Sequence, residues 1–233
     1  MKTSRQPTIA AIVPMRHDSE RVPGKNYRPL DGVPLYHYIV RCLMGCPEIG
    51  RIMIDTDSPV ILEDARKNFP TVTAYERPEH LRDGHLSMNT VLENSIKQWE
   101  ADYYLQTHCT NPLLRPATVR KAIRRFLDAL PTHDSLFTVT RIQSRLWDTN
   151  GQPLNHDPSK LLRTQDLKPL YEENSCLYLF SADSLRRCRN RIGATPILFE
   201  IDPLEAIDID EESDFRMTES LLFDRRTNGV TAE

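Results

Sequence analysis

The chain has 233 residues, 39% of them hydrophobic, with a formal net charge of −3 at pH 7 and five cysteines. That length can bury one substantial α/β core with room for a small protruding subdomain, and the slight acidity argues against a general nucleic-acid or membrane binder. No apolar run approaches the ~20 residues that cross a bilayer, no signal peptide opens the chain, and an odd cysteine count without a CxxC pair fits reduced thiols, so the expected compartment is the cytoplasm.

In chain order the pattern predicts strand 9–13, helix 35–44, strands 52–54 and 72–75 around helix 60–68, helix 88–99, strand 103–106, helix 116–130 and strand 136–139. Strand 177–180, helix 182–188, strand 197–201 and helix 213–223 follow. Such alternation implies a mostly parallel sheet with helices on both faces, whose ligands sit beyond the carboxyl ends of the strands. Between about 141 and 171 the alternation breaks, with Asn150-Gly151 as a hairpin-turn signal. This stretch is the expected insertion in a domain spanning 1–224, followed by a tail at 225–233, and Trp147 within it is a candidate subunit contact. The basic runs at 120–125 and 186–191 read as solvated helix faces.

Two segments carry chemistry. After the first strand, Pro14 is expected to end the ladder, and Arg16, Arg21, Lys25 and Arg28 follow in a loop bent by Pro23 and Gly24. Phosphate oxygens are the natural guest of such a loop, although it is not a Walker loop, and a solvated basic turn is the plain alternative. Near the other end, if residues 207–210 are extended, Asp208 and Asp210 share one face while Ile207 and Ile209 face the core. Paired hard carboxylates suit Mg²⁺ or Mn²⁺. The alternatives are acidic residues at a helix N-terminus, and a competing metal pair, Asp55 with Asp57.

Taken together, Pro14-Met15-Arg16 with Ser19, Pro23-Gly24-Lys25-Asn26, Asp55-Thr56-Asp57-Ser58, Arg77-Pro78 with Leu81 and Asp83, Leu105-Gln106 with Pro112-Leu113, Arg163 with Glu173-Asn174, and Ile207-Asp208-Ile209-Asp210 resemble the acylneuraminate cytidylyltransferase family. The resemblance implies a three-layer, Rossmann-like nucleotidyltransferase fold with an inserted dimerisation subdomain. It also implies Mg²⁺-dependent transfer of CMP from CTP to an acidic sugar of the nonulosonic type, with release of pyrophosphate, in a homodimer. Carried over residue by residue, Arg16 and Lys25 contact the triphosphate, Ser19 and Asn26 hydrogen-bond phosphate or nucleotide, and Asp208 and Asp210 hold Mg²⁺. Ser87 and Gln106 lie near nucleotide and acceptor, Arg77 opens an element whose role is equally structural, and Arg163 and Asn174 stand beside the sugar.

The chain departs from the family's pattern in several places. Glu20 stands where the family's loop has Lys, with Arg21 placed to compensate, and His17 and Asp18 replace glycines. Glu172 and Ser175 flank the Glu173-Asn174 pair where sialic acid users have Arg and Gly, which leaves the acceptor's identity open. The rival readings are a metal-dependent glycosyltransferase built on Asp55 and Asp57, another nucleotidyltransferase, and a degenerate nucleotide-binding module.

Overall fold

The structure is a computed structural model describing residues 5–227. Its first strand, β1 (Ile9–Met15), is buried along its whole length. In chain order follow β2 (Pro29–Leu30), β3 (Val33–Pro34), α1 (Leu35–Met44), β4 (Arg51–Thr56), α2 (Pro59–Asn68), β5 (Thr73–Glu76), α3 (Met88–Ser95), β6 (Tyr103–Thr107) and α4 (Pro116–Asp128). The chain continues through β7 (Ser135–Ile142), β8 (Leu170–Phe180), α5 (Ala182–Cys188), β9 (Pro196–Glu200) and α6 (Glu212–Thr227).

Seven of these strands form one sheet in the order β5-β4-β1-β6-β8-β7-β9. The β5, β4, β1 and β6 ladders are parallel, as is β7 with β9, while β8 runs against both its neighbours. Alternate residues of β1 serve two layers: Ile9, Ala11, Val13 and Met15 join the large core with α1, α2 and α4, and Ala10 and Ile12 join Leu92 and Leu185 of α3 and α5. The expected three-layer α/β architecture is therefore present. Because β1 has β4 on one side and β6 on the other, the crevice at this switch point opens beyond their carboxyl ends.

The chain differs from its sequence reading where pairing partners decide the outcome. Pro14 does not end β1, which continues beside β4 with Pro14 opposite Asp55 and Met15 opposite Thr56. The β6 ladder has stopped at Ile12 by then, so the missing N–H leaves no gap on that side. Residues 207–210 lie in a loop rather than a strand, and α6 runs through Thr227, past the expected start of the tail at 225. The remainder of that tail lies outside the described residues. Between β7 and β8 the chain forms an arm in which Trp147 bridges Pro153 around the Asn150-Gly151 turn, with Gly151 at φ +75°.

Asp55 at the end of β4 is fully buried, with Arg77 Nε donating to Oδ1 at 2.7 Å and Ser95 Oγ to Oδ2 at 2.5 Å. These bonds tie the β4 end to the segment after β5 and to α3. Removing one member of a buried pair strands the other charge. Arg77→Leu should therefore lower the unfolding free energy by about 3–5 kcal/mol in urea denaturation, whereas an unchanged midpoint would mean that Asp55 finds other compensation.

Candidate active site

A cleft of ≈ 310 Å³ lies beyond β1 and β6, and its lining includes Arg16, Ser19, Lys25, Asn26, His108, Asp208 and Asp210. The early cationic loop and the late acidic segment thus share one cavity. Apolar packing brings them there: Val22 of the loop, Leu30 and Leu35 form a cluster with Ile209 and Phe215. Lys25 Nζ then donates to the Ile209 carbonyl at 2.6 Å and lies 3.3 Å from Asp210 Oδ1, and Arg21 pairs with the same oxygen at 2.8 Å. Ile209 faces inward while Asp208 and Asp210 line the cleft, but Ile207, expected to face the core as well, is only half-buried, because no strand fixes the alternation there. A backbone bond from Ile209 N to the Thr110 carbonyl and one from Asn111 Nδ2 to the Ile207 carbonyl take the place of a ladder.

The loop is held open by local bonds. Gly24, at φ +66°, permits a turn in which the amides of Tyr27 and Arg28 both donate to its carbonyl. His17 N donates to Asp57 Oδ1 at 2.7 Å, and the His17 ring bonds Ser58 Oγ at 2.8 Å. The Asn26 side chain is used twice inside the loop, donating to the Arg16 carbonyl at 2.8 Å and accepting from Cys109 Sγ at 3.1 Å, so it staples the loop while lining the cleft. The four cations separate in role. Arg28 turns away to form a bidentate pair with Glu212 at 2.6 and 2.9 Å, Arg21 and Lys25 hold Asp210, and the Arg16 guanidinium has no ion pair among the described residues. A Cβ on Gly84 would lie 2.5 Å from Arg16 Nη1, so the bare glycine makes room for that guanidinium.

The two aspartates are in different electrostatic states. Partial burial pushes the Asp210 carboxyl up, but Lys25 and Arg21 outweigh it and hold the group below its ordinary value. Burial raises Asp208, and the neighbouring charge of Asp210 adds to the effect against a bond from Thr110 and the pull of Lys25. Asp208 nevertheless keeps solvent exposure on the cleft wall, and two neighbouring carboxylates of this kind suit a hard divalent cation. Among the described residues no cluster of three or more acidic, histidine or cysteine side chains could hold a metal ion. Two carboxylates completed by phosphate oxygens and water fit Mg²⁺, which keeps much of its hydration. His108 on the cleft wall is pushed down to about 4 by burial and by the charges of Arg191 and Lys25, so its ring is neutral at pH 7.

Other expected site residues lie elsewhere. The Arg77 guanidinium is committed to Asp55 although it borders the cleft. With Asp55 bound to Arg77 and Ser95, and Asp57 accepting from the His17 amide, the competing metal pair is already engaged. Ser87 caps α3 by accepting from Asn89 N at 3.2 Å and lines a different groove. Gln106 is fully buried on β6 and accepts from Arg191 Nη1 at 2.6 Å. Asn174 sits in the bulge between β7 and β8, donating to Thr140 Oγ1 at 3.0 Å, and Arg163 lies on the arm, paired with Asp166 at 2.7 Å. Glu172 is exposed on β8 opposite Thr140, away from the cleft.

Sequence reading missed Glu205 and Arg191. Glu205, 1% exposed, accepts from Arg115 N at 2.9 Å and Thr118 Oγ1 at 2.9 Å and pairs with the Arg115 guanidinium, so it pins the start of the acidic segment to α4. A glutamate three residues before an aspartate pair carries no sign of this, because its partners are about ninety residues away.

A family profile described as cytidylyltransferase matches residues 10–225. Among curated proteins, the chain is 27% identical over 218 residues to an N-acylneuraminate cytidylyltransferase of Oncorhynchus mykiss, covering 91% of this chain and 49% of that protein. It therefore spans about half the length of such fish relatives. It is 28% identical over 229 residues to the CMP-N,N'-diacetyllegionaminic acid synthase of Legionella pneumophila, covering 92% and 96%. Among solved structures, CMP:2-keto-3-deoxy-manno-octonic acid synthetase complexed with CTP superposes with a TM-score of 0.68 at 17% identity, covering 94% of this chain and 99% of that one. A 4-diphosphocytidyl-2C-methyl-D-erythritol synthase gives 0.66 at 13% identity, covering 94% and 100%. These structural likenesses establish the nucleotidyltransferase fold.

The Gly84 contact yields a specific expectation. Gly84→Ala meets only the far end of a flexible side chain, so stability should stay within about 0.5 kcal/mol. Displacing the Arg16 guanidinium should weaken inorganic pyrophosphate binding roughly tenfold in titration calorimetry, the worth of one charge-assisted contact. Unchanged affinity would show that Arg16 does not face the anion.

Proposed function

The chain belongs to the cytidylyltransferase family, and on that premise we propose that it transfers CMP from CTP to an acidic sugar of the nonulosonic type with release of pyrophosphate. The observation that carries this reading is the single cleft shared by Arg16 and Lys25 on one side and Asp208 and Asp210 on the other. Attack of a sugar hydroxyl on the α-phosphorus needs charge stabilisation and alignment more than covalent catalysis. Arg16, without a competing carboxylate, takes the triphosphate oxygens, and Lys25 holds the acidic segment against the loop while adding its own charge. Ser19 and Asn26 border the phosphates, and Arg21 supplies the cation that Glu20 replaces. Asp208 and Asp210 are the residues that hold Mg²⁺, which when bound neutralises phosphate charge and orients the triphosphate.

We further propose a homodimer joined through the arm. The arm exposes Trp147, Leu154, Leu161 and Leu162, and a hairpin of this size needs a partner to bury such side chains. Arg163 serves an acceptor only across that dimer. No helix among the described residues is long and apolar enough to cross a membrane, and a cytoplasmic biosynthetic role fits the proposed substrates.

Incubation with CTP, Mg²⁺ and a panel of nonulosonic and related 2-keto sugar acids should release pyrophosphate with at least one acid. Silence across the panel, or release of a nucleoside diphosphate from a sugar donor instead, would contradict the reading. Arg16→Ala should lower turnover by roughly 10²-fold with stability unchanged, as loss of a preorganised donor does. Lys25→Ala should lower both turnover and melting temperature, because it also removes the bond to Ile209.

A further inference from the structure

The 189–195 turn after α5 is fastened at several points. Arg191 N donates to Asn89 Oδ1 at 3.1 Å, Gly193 N to Ser135 Oγ at 2.8 Å, and Ala194 N and Thr195 N to the Asp134 carboxylate at 3.0 and 2.9 Å. The turn therefore delivers the Arg191 side chain to one place. Its guanidinium carbon lies 3.6 Å from the centroid of the Tyr178 ring, and Nη1 donates to Gln106 Oε1 at 2.6 Å. Gln106 and Tyr178 are register partners on β6 and β8, two residues before His108 of the cleft wall. Arg191 is thus partly buried behind the proposed active site, not part of the solvated basic face expected for 186–191.

A guanidinium in such a place calls for an anion. Burial lowers its pKa, and the carboxylate that acts on it, Glu173, is already bound by the Tyr178 hydroxyl. Among the described residues it forms no ion pair. A partly desolvated cation with no carboxylate in direct contact is costly unless a ligand supplies one. The planar fork retains donors beyond the one given to Gln106, in a geometry suited to a carboxylate. Nearby, His108 Nε2 is buried with no hydrogen-bond partner, and its ring feels the Arg191 charge.

We propose, resting on the reading of the acceptor as an acid, that Arg191 binds the acceptor's carboxylate within the same subunit and so determines specificity for an anionic acceptor. Tyr178 supports the guanidinium from one face and Gln106 fixes its rotation. The acid then lies beside the cleft that holds the triphosphate, and no residue from a second subunit is needed for this contact.

The experiment uses the full chain with CTP, Mg²⁺, the acid from the panel above that gives the highest turnover, and the methyl ester of that acid. Wild-type enzyme should lose about 10- to 100-fold in kcat/KM with the ester, the worth of a charge-assisted pair. Arg191→Ala should show a similar loss with the acid, mostly in KM, but little further loss with the ester, and CTP affinity should be unchanged. Arg191→Lys, which keeps the charge and tests against a simple folding defect, should fall between. Arg186→Ala, an exposed arginine on α5, is the control. Losses that simply add between variant and ester, or an acid KM unchanged in Arg191→Ala, would overturn the proposal while leaving the cytidylyltransferase reading intact. Silence of the wild-type enzyme across the acid panel would overturn both.

Discussion

The Lys25 ammonium on the Ile209 carbonyl joins residues 184 positions apart, and the cleft depends on that contact. Its side chain is only 11% exposed, so it is largely withdrawn from water and must be satisfied by fixed acceptors. The carbonyl and Asp210 supply them. Neither would be in reach without the apolar cluster of Val22, Leu30, Leu35, Ile209 and Phe215, which seats the acidic segment on the loop before any charge is counted. The hydrophobic contact sets the approach, and the polar contact sets its register.

The charges in the cleft are unevenly balanced. Asp210 is paired with Lys25 and Arg21, whereas among the described residues Asp208 stands beside it with no ion pair and Arg16 has no counter-ion. In the proposed function an arriving triphosphate with its cation would answer both needs, the polyanion meeting Arg16 and the cation meeting Asp208 and the second oxygen of Asp210. A site of that kind would discriminate against either alone. The same logic applies to the proposed acceptor contact, where the direct partners of Arg191, Gln106 and Tyr178, are neutral and Glu173 acts on it without an ion pair.

What could be read in the sequence was what local chemistry expresses. The strand feeding a cationic loop, the alternation of Asp208 and Asp210 with inward Ile209, the layer architecture and the Asn150-Gly151 turn all follow from short-range pattern, and all are present. What could not be read depended on distant partners. Ser87 looks like any polar residue near a site until α3 makes it a cap, and Arg77 divides between ligand and scaffold until Asp55 is buried beside it. Asn174 is held in a bulge that no periodicity announces. Arg191, at the end of a basic run, is distinguished from its exposed neighbours only by the fastened turn that tucks it beneath Gln106. Residues 207–210 form no strand and are fixed instead by the Ile209 amide on the Thr110 carbonyl and the Asn111 side-chain amide on the Ile207 carbonyl, partners about a hundred residues away.

The claim on which these relations rest is that the two ends of the chain close on one nucleotide. Backbone hydrogen exchange of the intact protein, with and without CTP and Mg²⁺, tests it most directly. The account predicts that residues 16–28 and 205–210 gain protection together and at the same ligand concentration. Protection confined to one of these segments, or appearing on another surface while both exchange as before, would contradict it.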